Sequence, residues 1–349
     1  MDFKKLAKKS IRHFEMQSYF LLDTKILRPG DIVLTKQVGG ISKKIRVATG
    51  STYSHAILFV ATDSYIHSDR TGVHSGNPQR LLFTNNDHAT ILRLKPISTA
   101  ASVLESACSY ARSQIGKQYS VPEAVKSKWY RSSDKEAKVD RQFCSRLVAQ
   151  AFSHAGVDLV SNTDYCYPDD FLRSRVLFTV KASIRSATRN EVSFAKSPSP
   201  LEKQAQVTNR ILEQARKLTG LDIQTLNDID AYIEKQPIHD DAISKIFRDS
   251  GYLELWKTDL AKNPWRYNTD QFLALNESIE AKNELARREF ESASNLLRSR
   301  KEMLFAYQFR LKETPLLYFQ IMVNLYEKLV DLEQRRITVA RNFLQTLAP

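Results

Sequence analysis

The stretch TYSHAILFVATDSYIH, residues 52–67, places one histidine in each of two apolar, strand-like runs. Its β-branched and aromatic residues predict a hairpin with a turn at 61–63. A three-residue turn would pair Ile57 with His67. Because side chains alternate along a strand, His55 and His67 would then be diagonal neighbours on one face, about 7–8 Å apart at Cα. A two-residue turn would place them on opposite faces, so the hypothesis that they act together depends on the turn.

Short runs of the same kind continue on both sides of this hairpin, from about residue 26 to 180. LRPGDIVLTK (27–36) and ATILRLKP (89–96) predict two further strands. Helical periodicity in TAASVLESACSYARSQIG (99–116) and CSRLVAQAFSHAG (144–156) predicts two helices, each followed by a glycine. This mixture indicates an α+β domain.

The sequence pattern changes after SPSP, residues 197–200, which predicts a linker. Beyond it the pattern is helical. Apolar residues recur at 3–4 spacing over 316–347, with Glu333 as the only polar member and Thr314 as the predicted N-cap. A looser version covers 272–311. Two helices of about 40 and 33 residues, roughly 60 and 50 Å long, would form a long antiparallel hairpin, self-packed or dimeric.

The positive charge lies entirely in the first half of the chain. Residues 1–196 hold 30 Lys and Arg against 17 Asp and Glu, whereas residues 197–349 hold 22 of each. An excess of +13 favours an anionic partner such as phospholipid headgroups, nucleic acid or an acidic polymer, although a solubilising surface is an equal interpretation. No recognised nucleic-acid motif accompanies the charge, so we do not expect nucleic acid as a partner.

We expect three segments: an amphipathic basic helix within 1–25, an α+β domain over 26–196 and a helical domain over 197–349. Residues 3–14 would lie on an anionic membrane surface or pack on their own domain. No run approaches the roughly 18–20 apolar residues of a membrane span, and the start lacks the apolar core of a secretory signal. We therefore expect a cytoplasmic protein, soluble or peripheral to a membrane.

Cys144 is the residue best placed for chemistry, because it begins an apolar helix. Unpaired N–H groups in a first helical turn stabilise a thiolate, and a thiolate beside an oriented histidine is the usual cysteine-nucleophile arrangement. A small buried core cysteine and a structural histidine pair remain open on spacing alone. Asp69 and His74 lie near His67, but their spacing matches no strong metal motif, and His74 is interpreted as surface or structural. We expect no metal and no cofactor.

An ordered set of motifs resembles the circularly permuted branch of the NlpC-type papain-like superfamily, in particular the YiiX-like proteins. The set is RPGDIVL, TGSTYSHAILFV, YIHSDRTGV, IGKQYS, FCSRLVAQAF and YPDDFLRS, within about residues 26–180. The resemblance implies a permuted papain-like domain with an antiparallel sheet and a nucleophile-bearing helix. It implies Cys144 as nucleophile, His55 as general base and acid, and His67 as the third polar residue. The helical domain lies outside it.

The sequence departs from the YiiX-like pattern in ways that bear on the substrate. Many such proteins have an acid where His67 stands; a histidine twelve positions after the first is the spacing of the lecithin:retinol acyltransferase family, which transfers acyl chains from lipids. Arg146 replaces an acidic residue often found two after the cysteine, and a charged insert covers 126–141. Tyr53 and Ser145 are expected to line the site, with the backbone N–H of the cysteine as oxyanion donor.

The expected reaction is attack of Cys144 on an amide, ester or thioester, followed by release of the acyl group to water or another acceptor. One hypothesis is a thiol hydrolase of amides, with a peptide-like or cell-wall substrate. A second is a lipid-directed acyltransferase or phospholipase at anionic membranes. A third is a catalytically silent scaffold with the same fold. A homodimer or a protein partner would use the C-terminal helices.

Overall fold

The computed structural model describes most of the chain on both sides of the predicted linker. The described residues are 18–36, 51–61, 63–96, 100–119, 142–181 and 183–346. The predicted basic helix over 3–14 and the charged insert at 126–141 lie outside them. Within the described residues, no helix is both long enough and apolar enough to cross a membrane.

The first half of the described chain is built on antiparallel sheet, and the fold is α+β as the sequence predicts. Among the described residues, six strands form one sheet in the order β5–β4–β3–β2–β6–β7, and β1 pairs with β8 beside it. The bounds are β1 Phe20–Leu22, β2 Ile32–Thr35, β3 His55–Ala61, β4 Ser64–Asp69, β5 Gly72–Gly76, β6 Ala89–Leu94, β7 Leu177–Val180 and β8 Ile184–Ser186. The four strands predicted from sequence are β2, β3, β4 and β6.

Two helices cover one face of this sheet, α1 (Ala100–Ser113) and α2 (Cys144–His154). They pack on each other and on β3. The side chains of β3 alternate accordingly: Ala56 and Leu58 belong to the apolar cluster that contains both helices. Ile57 belongs to a second cluster on the opposite face of the sheet. Burial on both faces explains why β3 reads as an almost continuous apolar run.

The rest of the described chain is helical. It begins with α3 (Arg189–Lys196) and α4 (Pro200–Thr219), so the predicted linker is short and Pro200 already occupies the first helical position, where its missing N–H costs nothing. Four shorter helices follow: α5 Leu226–Lys235, α6 Asp240–Ser250, α7 Trp256–Lys262 and α8 Thr269–Leu273. The longest two close the chain, α9 Ile279–Glu313 and α10 Leu317–Thr346.

α9 and α10 pack along each other as the predicted hairpin, with 35 and 30 residues. The predicted start of the first helix at Phe272 is wrong, because that residue lies in α8 and Ser278 caps α9. Thr314 is not the N-cap of the second helix. The Asp240 carboxylate caps α10 instead, accepting hydrogen bonds from the N–H groups of Leu317 and Tyr318.

Glu333, the only polar residue in the predicted apolar seam, is buried and paired. Arg336 donates to Glu333 at 2.7 Å and to Glu289 of α9 at 2.6 Å. Two carboxylates on one guanidinium keep the charges satisfied inside the hairpin. The pairing explains how a charged side chain occupies a core position.

The helical part lies against the β5 end of the sheet. Asn209 of α4 donates to the Thr71 carbonyl at 2.8 Å, and the Gln118 N–H donates to the Gln224 side chain at 2.9 Å. Gly116 has a φ of 100°, and a Cβ there would lie 2.8 Å from the Gln224 carbonyl oxygen. This glycine therefore ends α1 and also allows the close approach of the two parts.

Candidate active site

The β3–β4 hairpin brings His55 and His67 together as predicted. Leu58 pairs with Ile66, which is the register that sets Ile57 opposite His67. His55 Nε2 and His67 Nδ1 lie 2.8 Å apart, within hydrogen-bond distance. Both rings are buried.

The tip of the hairpin differs from the prediction. Ala61 rather than Val60 pairs with Ser64, and the ladder is irregular between Phe59 and Ala61. Two residues therefore separate the strands, which in a regular hairpin would put the histidines on opposite faces. An extra residue in one strand shifts the register by one, so the irregularity restores the shared face.

A third histidine and a carboxylate extend the pair. His74 of β5 stands directly opposite His67, with ring centroids 4.3 Å apart. His74 Nε2 lies 3.2 Å from Asp69 Oδ1. The sequence placed His74 on the surface or in a structural role because β5, a strand of glycine, serine and one valine, carries no strand signal. We call His55, His67, His74 and Asp69 the histidine cluster.

Charge is divided unevenly over the histidine cluster. Burial lowers the pKa of His55 to about 4 and holds the pKa of His67 well below its ordinary value. Burial also opposes charge on His74, but the Asp69 carboxylate outweighs it, so the pKa of His74 is raised. Burial opposes charge on Asp69 too, yet His74 and Thr71 hold its pKa below its ordinary range. At neutral pH the two inner imidazoles are therefore neutral.

Cys144 is the first residue of α2, as predicted, and Phe143 caps the helix without a side-chain hydrogen bond. Cys144 as a whole residue is only 6% exposed. Burial raises its pKa to about 11, although the backbone N–H groups of Ala56, Ser145 and Cys144 itself act in the opposite direction. The expectation of a lowered thiol pKa is wrong, because the cost of charge in an apolar pocket exceeds the effect of three N–H groups.

Ala56 connects the Cys144 thiol with the histidine pair. Its N–H points at the Cys144 sulfur, and His55 is the preceding residue on β3. Among the described residues, no hydrogen bond joins the Cys144 thiol to the His55 ring. At rest the site is thus a neutral thiol and a neutral imidazole rather than an ion pair.

The YPDD segment at 167–170 anchors the approach to His55. Asp169 accepts hydrogen bonds from the N–H groups of Thr52 at 2.5 Å and Tyr53 at 2.9 Å. Tyr53 is half-buried and packs against the cluster that contains Cys144. The motif YPDDFLRS, which contains Asp169, carried part of the resemblance.

Ser145 lies beside the nucleophile but faces the chain that follows α2. It is buried, and its hydroxyl donates to the Cys166 carbonyl at 2.6 Å. Arg146 is also fully buried, with its guanidinium 4.5 Å from the Phe143 ring. The residue that departs from the family pattern thus packs inside the domain. A cleft of about 560 Å³ lies along 158–176, and none of the four residues of the histidine cluster lines it.

Tyr119 is a further residue of the site that the sequence did not single out. Burial raises its pKa, and negative charge on Asp69, or on Cys144 when its thiol is ionised, acts in the same direction. Tyr119 is therefore near enough to both Cys144 and Asp69 to be influenced by their charge. Its backbone forms a parallel bridge with Gln142, two residues before Cys144. The motif IGKQYS, which contains it, carried part of the resemblance.

Residues 26–171 match the family described as permuted papain-like amidase enzyme, YaeF/YiiX, C92 family. The match contains Cys144 and the whole histidine cluster and ends within the turn after Tyr167. No curated protein matches the sequence.

Proposed function

We propose, on the premise that residues 26–171 are a domain of the permuted papain-like amidase family, that this chain is a cysteine hydrolase whose reaction passes through an acyl-enzyme on Cys144. The observation that supports the proposal most is the buried His55–His67 pair beside a cysteine at a helix N-terminus. The bond broken would be an amide, ester or thioester.

His55 would act as the base through Nδ1. Its Nε2 is engaged with His67 Nδ1, and two neutral imidazoles that share one hydrogen bond place the proton on only one of the two nitrogens. With Nε2–H of His55 donating to His67, Nδ1 of His55 keeps its lone pair. The lowered pKa of His55 keeps this nitrogen unprotonated at neutral pH. His67 orients the ring, as the third member of a triad does.

In the proposed reaction the Cys144 proton moves to His55 Nδ1 as the sulfur attacks the substrate carbonyl carbon. The carbonyl oxygen becomes an oxyanion, which the unpaired N–H groups at the start of α2 can stabilise. Collapse breaks the bond to the leaving group, which takes the proton from His55. Water then attacks the thioester, gives its proton to His55 and releases the acid, while the proton returns to sulfur.

A lipid-directed hydrolase or acyltransferase is the second candidate. It is favoured by the histidine at position 67, whose imidazole contacts His55 where many YiiX-like proteins have an acid. It is also favoured by the +13 charge of residues 1–196, which would draw the domain to anionic headgroups. The acyl-enzyme would be the same, and the acyl donor would differ.

Intact-protein mass spectrometry after mixing with p-nitrophenyl esters, peptide p-nitroanilides and thioesters would test the nucleophile. We expect one acyl group on the wild type, none on Cys144→Ala, and the wild-type result for Cys166→Ala, a buried cysteine of the same domain. Acylation of Cys144→Ala, or no acylation by any class, would contradict the proposal. The second outcome would favour the silent scaffold.

Assays of the same variants on phospholipid vesicles would distinguish a lipid acyl donor from an amide substrate. A lipid-directed enzyme would release fatty acid from vesicles that contain anionic phospholipid, lose that activity in Cys144→Ala, and slow as salt rises. An amide hydrolase would cleave the peptide p-nitroanilides and leave the vesicles intact.

A further inference from the structure

The histidine cluster contains three side chains that share one small space on one face of the sheet. A ligand atom from each of His67, Asp69 and His74 lies within 4.8 Å of the other two. Strand geometry produces this arrangement, since His67 and Asp69 are two apart on β4 and His74 is paired opposite His67 on β5. Two imidazoles and one carboxylate are the protein ligands of many zinc sites that keep a fourth position open.

The contact between His74 and Asp69 fits two ligands better than a donor and an acceptor. His74 Nε2 is shielded from solvent and has no aligned hydrogen-bond partner, although it lies 3.2 Å from Asp69 Oδ1. Two ligand atoms about 2.0–2.1 Å from one tetrahedral ion lie about 3.3 Å apart. The two atoms thus already have the separation that a shared ion requires.

Each of the three side chains also has a further polar partner. Asp69 Oδ1 accepts from the Thr71 N–H at 2.8 Å and from its hydroxyl at 2.7 Å. His74 Nδ1 faces the Ser75 carbonyl at 3.4 Å, and His67 Nδ1 faces His55. Partners on the non-ligating nitrogen fix the ring and the tautomer of zinc-bound histidines.

The site borders solvent, and a cation bound there would meet negative charge. The side chains of His74 and Asp69 are 15% and 38% exposed. Glu202 of α4 is close enough to act on the charge of His74. Arg70, the next residue along the chain, lies in the turn between β4 and β5.

We propose that His67 Nε2, His74 Nε2 and Asp69 bind a Zn²⁺ ion and that the ion switches off His55 as a base. Binding through Nε2 leaves the His67 proton on Nδ1, which then donates to His55 Nε2. The His55 proton is forced onto Nδ1, the nitrogen that the proposed mechanism uses. Each ring still carries one proton, exchanged through solvent, so only the tautomers change. The switch rests on the proposed function, whereas the metal site does not.

Metal binding is tested first in Cys144→Ala, which removes the only nearby thiol ligand among the described residues. Co²⁺ titration should give the visible absorption of a four-coordinate ion, and Zn²⁺ should displace it. His74→Gln and Asp69→Asn in the same background should each weaken binding by more than the about 10–100-fold that loss of a second-shell partner costs. His88→Gln, a half-buried histidine outside the cluster, is the control. Mg²⁺, which prefers oxygen ligands, should not compete.

Inhibition is tested in the protein that retains Cys144, as the rate with Zn²⁺ divided by the same variant's metal-free rate. This ratio should fall in the wild type and rise toward one in His74→Gln and Asp69→Asn. Co²⁺ binding unchanged by both substitutions, or absent from the wild type, would overturn the proposed site. Binding without any acylation of Cys144 would refute the proposed function and leave the site standing. Acylation with equal Zn²⁺ sensitivity in all variants would overturn the switch.

Discussion

Cys144 combines two opposing influences that decide how the proposed enzyme works. The first turn of α2 and the Ala56 N–H stabilise negative charge on sulfur, yet an apolar pocket raises the thiol pKa to about 11. A resting thiolate is therefore absent at neutral pH, and the proton must leave when substrate and His55 are both in place. Such a cysteine should react slowly with general alkylating agents and selectively with its substrate.

Asp169 is a residue-scale test of how the site is positioned. Asp169→Asn should lower kcat/KM for ester hydrolysis by about tenfold or more, since hydrogen bonds to a charged group contribute about 1.5–3 kcal/mol and these two fix Thr52 and Tyr53 ahead of His55. Progress curves would measure it. Asp158→Asn, an exposed carboxylate whose described partner is Ser153, is the matched control. Equal kcat/KM for Asp169→Asn and the wild type would show that the two hydrogen bonds to Asp169 do not contribute to catalysis.

At the scale of the element, the β3–β4 hairpin carries His55 and His67, on which the proposed chemistry depends. Its register follows from sequence, because period-two alternation and apolar content leave few pairings for β3. The irregularity at its tip does not, since no residue there demands a bulge. His74 could not be placed from sequence either: strand β5 lacks β-branched residues apart from Val73, and only its pairing with β4 brings His74 to His67.

The hairpin should open more easily in acid. The folded pKa of His55, about 4, lies below the unfolded value of 6.5. As the pH falls from 6.5 to 4, His55 is therefore protonated in the open hairpin but stays neutral in the folded one. This difference lowers the free energy of opening the hairpin by up to about 3 kcal/mol for His55. His67 acts in the same direction. His74, with its raised pKa, acts in the opposite one but less strongly.

Hydrogen exchange of peptides from 55–69, corrected for the intrinsic effect of pH, would measure this opening free energy between pH 6.5 and pH 4. His55→Gln should flatten the pH dependence, and His88→Gln should keep it. A wild-type opening free energy that rises toward pH 4 would contradict the assigned sign.

At the scale of the whole molecule, sequence periodicity predicted the helices of the second part of the chain but not where each helix begins or what caps it. The hairpin of α9 and α10 follows from the long apolar seam. Glu333 can occupy a position in that seam because Arg336, three residues further along the same face of α10, pairs with it. The true cap of α10 is Asp240, 77 residues before Leu317, and local sequence cannot reveal such a partner. The contact of α4 with the β5 end is likewise a product of tertiary packing.

This packing places the helical part beside the outer end of the histidine cluster. Asn209 holds the Thr71 carbonyl, and Thr71 holds Asp69. Glu202, seven residues earlier on α4, acts on His74. In the proposed enzyme the α+β part supplies the nucleophile and the base, and the helical part supports the turn that follows Asp69.

The rate of Cys144 acylation by a p-nitrophenyl ester, measured against pH in the wild type and in His55→Gln, tests the central claim most directly. The wild-type rate should rise as His55 loses its proton near pH 4 and then stay level through neutral pH, because a neutral base removes the thiol proton. His55→Gln should lose this plateau and acylate only as the thiol ionises toward pH 11. A His55→Gln protein that is folded and acylates with the wild-type rate and pH profile would contradict the account.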